Sequence, residues 1–103
     1  MTMRIEIPAT VGRFAENKDE ARLIRIEKIL PALERRKQVA LDFSQVGYAT
    51  QSFIHALIGE ALQRYREEAL EFLEFRNCSP AIRSVIELVV DYSLGGFPVQ
   101  KSV

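Results

Sequence analysis

The chain has 103 residues, 48% of them apolar, which suits one domain with its own core and excludes a disordered chain. Fourteen basic residues balance fourteen acidic ones; this argues against a dedicated nucleic-acid binder and leaves no polybasic stretch for an anionic membrane surface. The single cysteine, Cys78, excludes an internal disulfide and an all-cysteine metal site. The opening residues lack the layout of a secretory signal, and no apolar run approaches the ~18 residues of a membrane span. The expectation is a cytoplasmic domain without metal or cofactor.

Met3 to Ile7 alternates apolar and charged residues with period two, which predicts a strand with one buried face, ended by Pro8. The stretch up to residue 16 reads either as a second strand, completing a hairpin over 1–16, or as a loop turning at Gly12. A helix follows, with Asn17 as its cap and Glu20 three positions on. Leu23, Ile26, Leu30 and Leu33, with Ile29 beside them, form its inward stripe, while Arg22, Arg25, Glu27 and Lys28 face water. Pro31 lies within this helix. It removes the bond to the Glu27 carbonyl and predicts a kink or a restart.

Gln38 to Phe43 reads as a mostly buried strand and residues 44–49 as a loop containing Gly47. Thr50 caps the clearest helix, whose stripe is Phe53, Ile54, Leu57, Ile58, Ala61, Leu62 and Tyr65. Leu70 to Phe75 is equivocal in spacing, but its aromatic content favours a strand of the same sheet. Ser79-Pro80 opens the last helix, with Ile82, Val85, Ile86 and Val89 inward. Gly95-Gly96 breaks it and leaves a tail over residues 93–103. The expected architecture is a single α/β domain over 1–103, a sandwich with a central mixed sheet of about four strands and three main helices.

Catalytic machinery is sparse. His55 is the sole histidine, and a lone histidine at the edge of a polar helix face is more often a surface residue than a base. Cys78 precedes the Ser79 cap, but a small buried cysteine at a strand end is the commoner arrangement. Neither the glycine pair nor Gly12 forms a phosphate-cradling loop, and one His and one Cys give no metal-ligand spacing. The expectation is that the protein is not an enzyme. The informative segment runs from Leu41 to Phe53, where a buried strand leads through a loop to hydroxyl residues at a helix start. Phosphate attached there would sit near free backbone N–H groups and add nearly two charges to the surface. Simple capping by Thr50 is the plainer reading.

That segment resembles the signature of the STAS fold, found in bacterial anti-sigma-factor antagonists. Leu41, Asp42, Phe43, Ser44, Val46, Tyr48 and Ser52 keep the pattern, and Ser79-Pro80-Ala81-Ile82-Arg83-Ser84-Val85-Ile86 resembles its second block. Leu41-Asp42-Phe43 with Gln51-Ser52-Phe53 makes the chain more similar still to the STAS-like family of small bacterial proteins. The resemblance implies a regulatory protein that works by binding a protein partner, a histidine-kinase-like ATPase or another regulator. It implies partner contacts at Tyr48, Thr50, Gln51, Ser52 and His55, with Tyr48 either an anchor or folded onto the core. In the phosphorylated antagonists the acceptor serine follows an aspartate. Aligned on Thr50, the acceptor position is Gln51, which takes no phosphate, so Ser52 and Thr50 stand as the candidates for phosphorylation. The alternative is an assembly protein without a switch, a homodimer formed through a strand edge or through the tail.

Overall fold

Alternation builds the first strand, β1 (Thr2–Glu6), which turns Ile5 inward and leaves Arg4 and Glu6 exposed. The computed structural model describes residues 2–9 and 12–95; the expected tail falls largely outside them. After a two-residue strand, β2 (Phe14–Ala15), comes one long helix, α1, whose α-helical parts Lys18–Ile24 and Leu30–Glu34 flank a π-helical segment, Arg25–Ile29. Strands β3 (Gln38–Asp42) and β4 (Tyr48–Ala49) lead into a second long helix, α2. Its parts Gln51–Ile54 and Glu60–Tyr65 flank a second π-helical segment, His55–Gly59. A short helix, α3 (Glu68–Phe72), runs into β5 (Leu73–Arg76), and α4 (Pro80–Ser93) closes the described fold.

The α/β class and the three main helices are as expected. The sheet is not: among the described residues, three strands pair in the order β1-β3-β5, and β2 and β4 form a separate pair. Every pairing is parallel. The hairpin over 1–16 is therefore corrected, because β2 pairs with β4 and not with β1. The loop expected over 44–49 likewise ends in strand. The strand expected from Leu70 begins only at Leu73. Glu68, Ala69, Leu70 and Glu71 are strong helix formers, and two of these acids sit in the first turn of α3, where they suit the helix dipole.

One sheet face meets the helices. Ile5, Ile7, Val39, Leu41, Phe43 and Leu73 join one core with Phe53, Ile54, Leu57, Ile58, Leu62, Ile82 and Val89. The expected stripes of α2 and α4 thus lie inward, with Tyr65 and Val85 half-buried at the margin. The other sheet face carries Arg4, Glu6, Ala40, Asp42, Glu74 and Arg76 in register across the strands. Its charges pair locally, Arg4 with Glu6 and Asp42, and Arg76 with Glu74.

The stripe expected on α1 is corrected. Leu23 and Ile26 are 55% and 50% exposed, while Ala21 and Ile29 are buried and Arg25 is only 17% exposed. The π-turn explains the change. Carried back from Leu33 and Ile29 at 3.6 residues per turn, the inward face would meet Arg22; one extra residue in the wider turn brings Ala21 there instead. The restart expected at Pro31 is present, since α-helical pairing resumes at Leu30 with Pro31 in its first turn and Leu30 N–H donates to the Arg25 carbonyl.

The second π-turn is held from outside. An i→i+5 turn leaves a carbonyl without its usual i+4 donor. Arg25 Nη1 donates to the Ala56 carbonyl at 3.2 Å, and its Nε lies 3.4 Å from Glu60, which also pairs with Arg64. Arg25→Met keeps the bulk but leaves that carbonyl unpaired. It is expected to cost about 1–3 kcal/mol in urea unfolding; a cost near zero would show that the guanidinium does not hold the turn.

Candidate functional site

The site begins at the end of β3. Asp42 is 3% exposed and its carboxylate collects donors from three segments. Asn77 Nδ2 and Ser44 N–H donate to Oδ1 at 3.0 and 2.9 Å, and Arg4 donates to Oδ2 through Nε at 3.0 Å and also through its Nη2. The hydrogen bond from Asn77 comes first among the causes that hold this carboxyl well below the ordinary carboxylate range, followed by those from Ser44 and Arg4. Asp42 thereby fixes where the chain leaves the sheet. It is a structural clamp at the end of β3.

The segment that leaves β3 is then tied to β2. The Arg13 carbonyl accepts from Gly47 N–H and Tyr48 N–H at 2.8 and 3.2 Å, the Ala15 carbonyl accepts from Thr50 N–H at 3.0 Å, and Arg13 Nη2 donates to the Ser44 carbonyl at 3.0 Å. From the other side, the Ser79 hydroxyl donates to the Gly47 carbonyl at 3.0 Å while accepting from Ile82 N–H as the cap of α4. Two aromatic rings result at the surface. Tyr48 and Phe14, 57% and 43% exposed, stack with centroids 5.5 Å apart. Tyr48 is therefore not folded into the core.

The start of α2 stands next to this pair. The Thr50 hydroxyl oxygen accepts from Phe53 N–H at 3.0 Å, so the plain capping role holds for Thr50. Gln51 and Ser52 are exposed in the first turn, with Gln51 Nε2 donating to the Tyr92 hydroxyl at 3.3 Å. His55 is exposed and stacks on Tyr92, centroids 5.8 Å apart. The structure thus brings Tyr48, Thr50, Gln51, Ser52 and His55 onto the surface around one helix start. Phe14 and Tyr92 share this surface and were not read from the sequence. Phe14 lay in an ambiguous segment whose partner is 34 residues away, and Tyr92 looked like one more residue of the last helix.

The remaining nucleophile candidate lies apart in chemistry. Cys78 is half-buried, and burial pushes its thiol up, away from the thiolate a nucleophile requires. Among the described residues no three His, Cys, Asp or Glu side chains group as a metal site, and no helix is long and apolar enough to cross a membrane.

Residues 20–83, 64 of the 103, match the model of a protein family described as a STAS-like domain of unknown function (DUF4325). No curated protein and no solved structure matches the chain.

Proposed function

The chain belongs to this STAS-like family, and from that premise we propose that it is a non-enzymatic regulatory module that binds a protein partner through the surface around the start of α2. The exposed Tyr48–Phe14 stack carries the reading. Aromatic side chains with large apolar area and a polar tip are favoured anchors at protein interfaces, and here they flank exposed polar groups suited to a rim. Tyr48, Gln51, Ser52 and His55 make the contacts, and Thr50 sets the helix start that presents them. The partner is an ATPase of the histidine-kinase type or another regulator, as the family resemblance implies. Of the two hydroxyls, Ser52 is the one open to phosphorylation, since Thr50 is already engaged in its cap. A phosphate on Ser52 adds charge to the contact surface and weakens docking.

Tyr48→Ala is expected to weaken partner binding by about 30-fold, a loss of ~2 kcal/mol. The test uses the full chain as bait in lysate of its native host, with and without ATP, read by quantitative mass spectrometry, and then titration of the purified protein recovered. Recovery should fall for Tyr48→Ala and for Ser52→Glu and persist for Leu23→Ser, a control on the far-exposed face of α1. Equal recovery by all four baits would sink the reading.

A further inference from the structure

The outer edge of β1 has a pattern that the site above does not use. β1 borders the sheet, and among the described residues no strand pairs on its outer side. Ile7 N–H donates to the Asp42 carbonyl at 2.9 Å. By the two-residue alternation of a strand, Met3, Ile5 and Ile7 turn their backbone groups towards β3, and Thr2, Arg4 and Glu6 turn theirs to the open edge. An edge of this kind is a ready template for another strand. Pro8 closes it by lacking an N–H.

The side chains choose what fits there. Centred on Ile5, the strand reads apolar, basic, apolar, acidic, apolar from Met3 to Ile7. Rotated by a two-fold axis through Ile5, it faces itself as an antiparallel partner. Arg4 then lies opposite Glu6 of the partner subunit, and Met3 lies opposite Ile7 of the partner subunit on the apolar face. Arg4 and Glu6 are also the residues whose backbone groups point outward, so each cross-pair exchanges both of its ladder hydrogen bonds. A slip by one pleat in either direction places Arg4 against Arg4 of the partner subunit, or Glu6 against Glu6 of the partner subunit. Like charges directly opposite oppose pairing, and the charge pattern therefore selects one register.

We infer that β1 is a homodimerisation edge, whose occupant is β1 of a second copy of this chain, giving a continuous six-stranded sheet. The chain's zero net charge leaves no long-range repulsion between copies. So short a ladder buries little surface, and the dimer is weak and concentration-dependent.

Sedimentation velocity of the full chain, from about 10 to about 500 µM to span weak association, tests this. The wild type should pass from monomer to dimer across the series. Glu6→Pro removes an outward N–H that the β1–β3 ladder does not use, and it should weaken the dimer at least tenfold. Glu6→Arg sets arginine opposite Arg4 of the partner subunit and should do the same without any proline; far-UV circular dichroism identifies a variant that has lost its fold. Leu23→Ser, on the exposed helix face, should dimerise like the wild type. A wild type that stays monomeric throughout overturns the proposal. So does a dimer that survives both Glu6 variants, or one lost in Leu23→Ser alone.

Discussion

Asp42→Ala is expected to cause the largest loss of stability of any polar substitution in the chain, lowering the thermal midpoint by roughly 10 °C or more. The carboxylate links β1, through Arg4, with the residues that follow β3 and β5, through Ser44 and Asn77. Removing it takes the acceptor from Ser44 N–H and Asn77 Nδ2 and leaves Arg4 with Glu6 alone, at a position that is itself nearly closed. The charge also has a pH signature. The folded carboxyl is held below the ordinary range, and the unfolded one titrates near ~3.9. Protons are therefore bound more readily by the unfolded chain. The stabilisation is complete above about pH 5 and drains away as pH falls through the unfolded value towards the depressed folded one. Urea midpoints between about pH 7 and pH 2 should drop steeply for the wild type and less steeply for Asp42→Asn. Parallel curves would mean that Asp42 is not the group being titrated.

Phe53→Ala should cost about 3–5 kcal/mol, which approaches the whole stability of many domains this size. Phe53 is fully buried, although it lies one residue from the exposed Ser52. Its ring joins the core cluster with Ile54, Leu57, Ile58 and Leu62, on the inward stripe of α2. Phe53→Leu conserves most of the volume and is expected to stay within about 1.5 kcal/mol of wild type. Urea unfolding of the two variants separates the cases. A cost below about 1 kcal/mol for the alanine variant would contradict a packed ring.

What the sequence disclosed was mostly local. The period-two pattern of Met3 to Ile7, the Asn17, Thr50 and Ser79 caps, the wide stripe of α2 and the Ser79-Pro80 start all rest on neighbours a few residues apart, and each stands in the structure. The misreadings came from interactions that no short window contains. Leu23 and Ile26 follow a faultless helical period, yet the π-turn over Arg25–Ile29 shifts the phase, and a π-turn has no period of its own to detect. Phe14 and Ala15 are strand only because Tyr48 and Ala49 lie alongside. The helix ahead of β5 is hidden because the spacing of Leu70 to Phe75 suits helix and strand alike, and the chain passes from one to the other within it, between Phe72 and Leu73. At the site, Leu41-Asp42-Phe43 marks the end of β3, where the aspartate acts as a clamp; the exposed feature is the ring pair that Tyr48 makes with Phe14, a partner no short window contains.

The parallel order of the sheet also has a consequence in time. Thr2 is paired with Gln38, and Val39 in turn with Leu73, so each neighbour lies more than thirty residues further along. At ribosomal speeds of about 5–20 residues per second, β1 waits on the order of seconds after emerging before β3 exists to receive it. Throughout that interval its apolar and charged alternation is open to any other nascent copy. Slow translation lengthens the window in which β1 meets another β1 before its own β3, and many ribosomes on one message bring more copies within reach during it. Native assembly and premature entanglement would then compete through the same five residues.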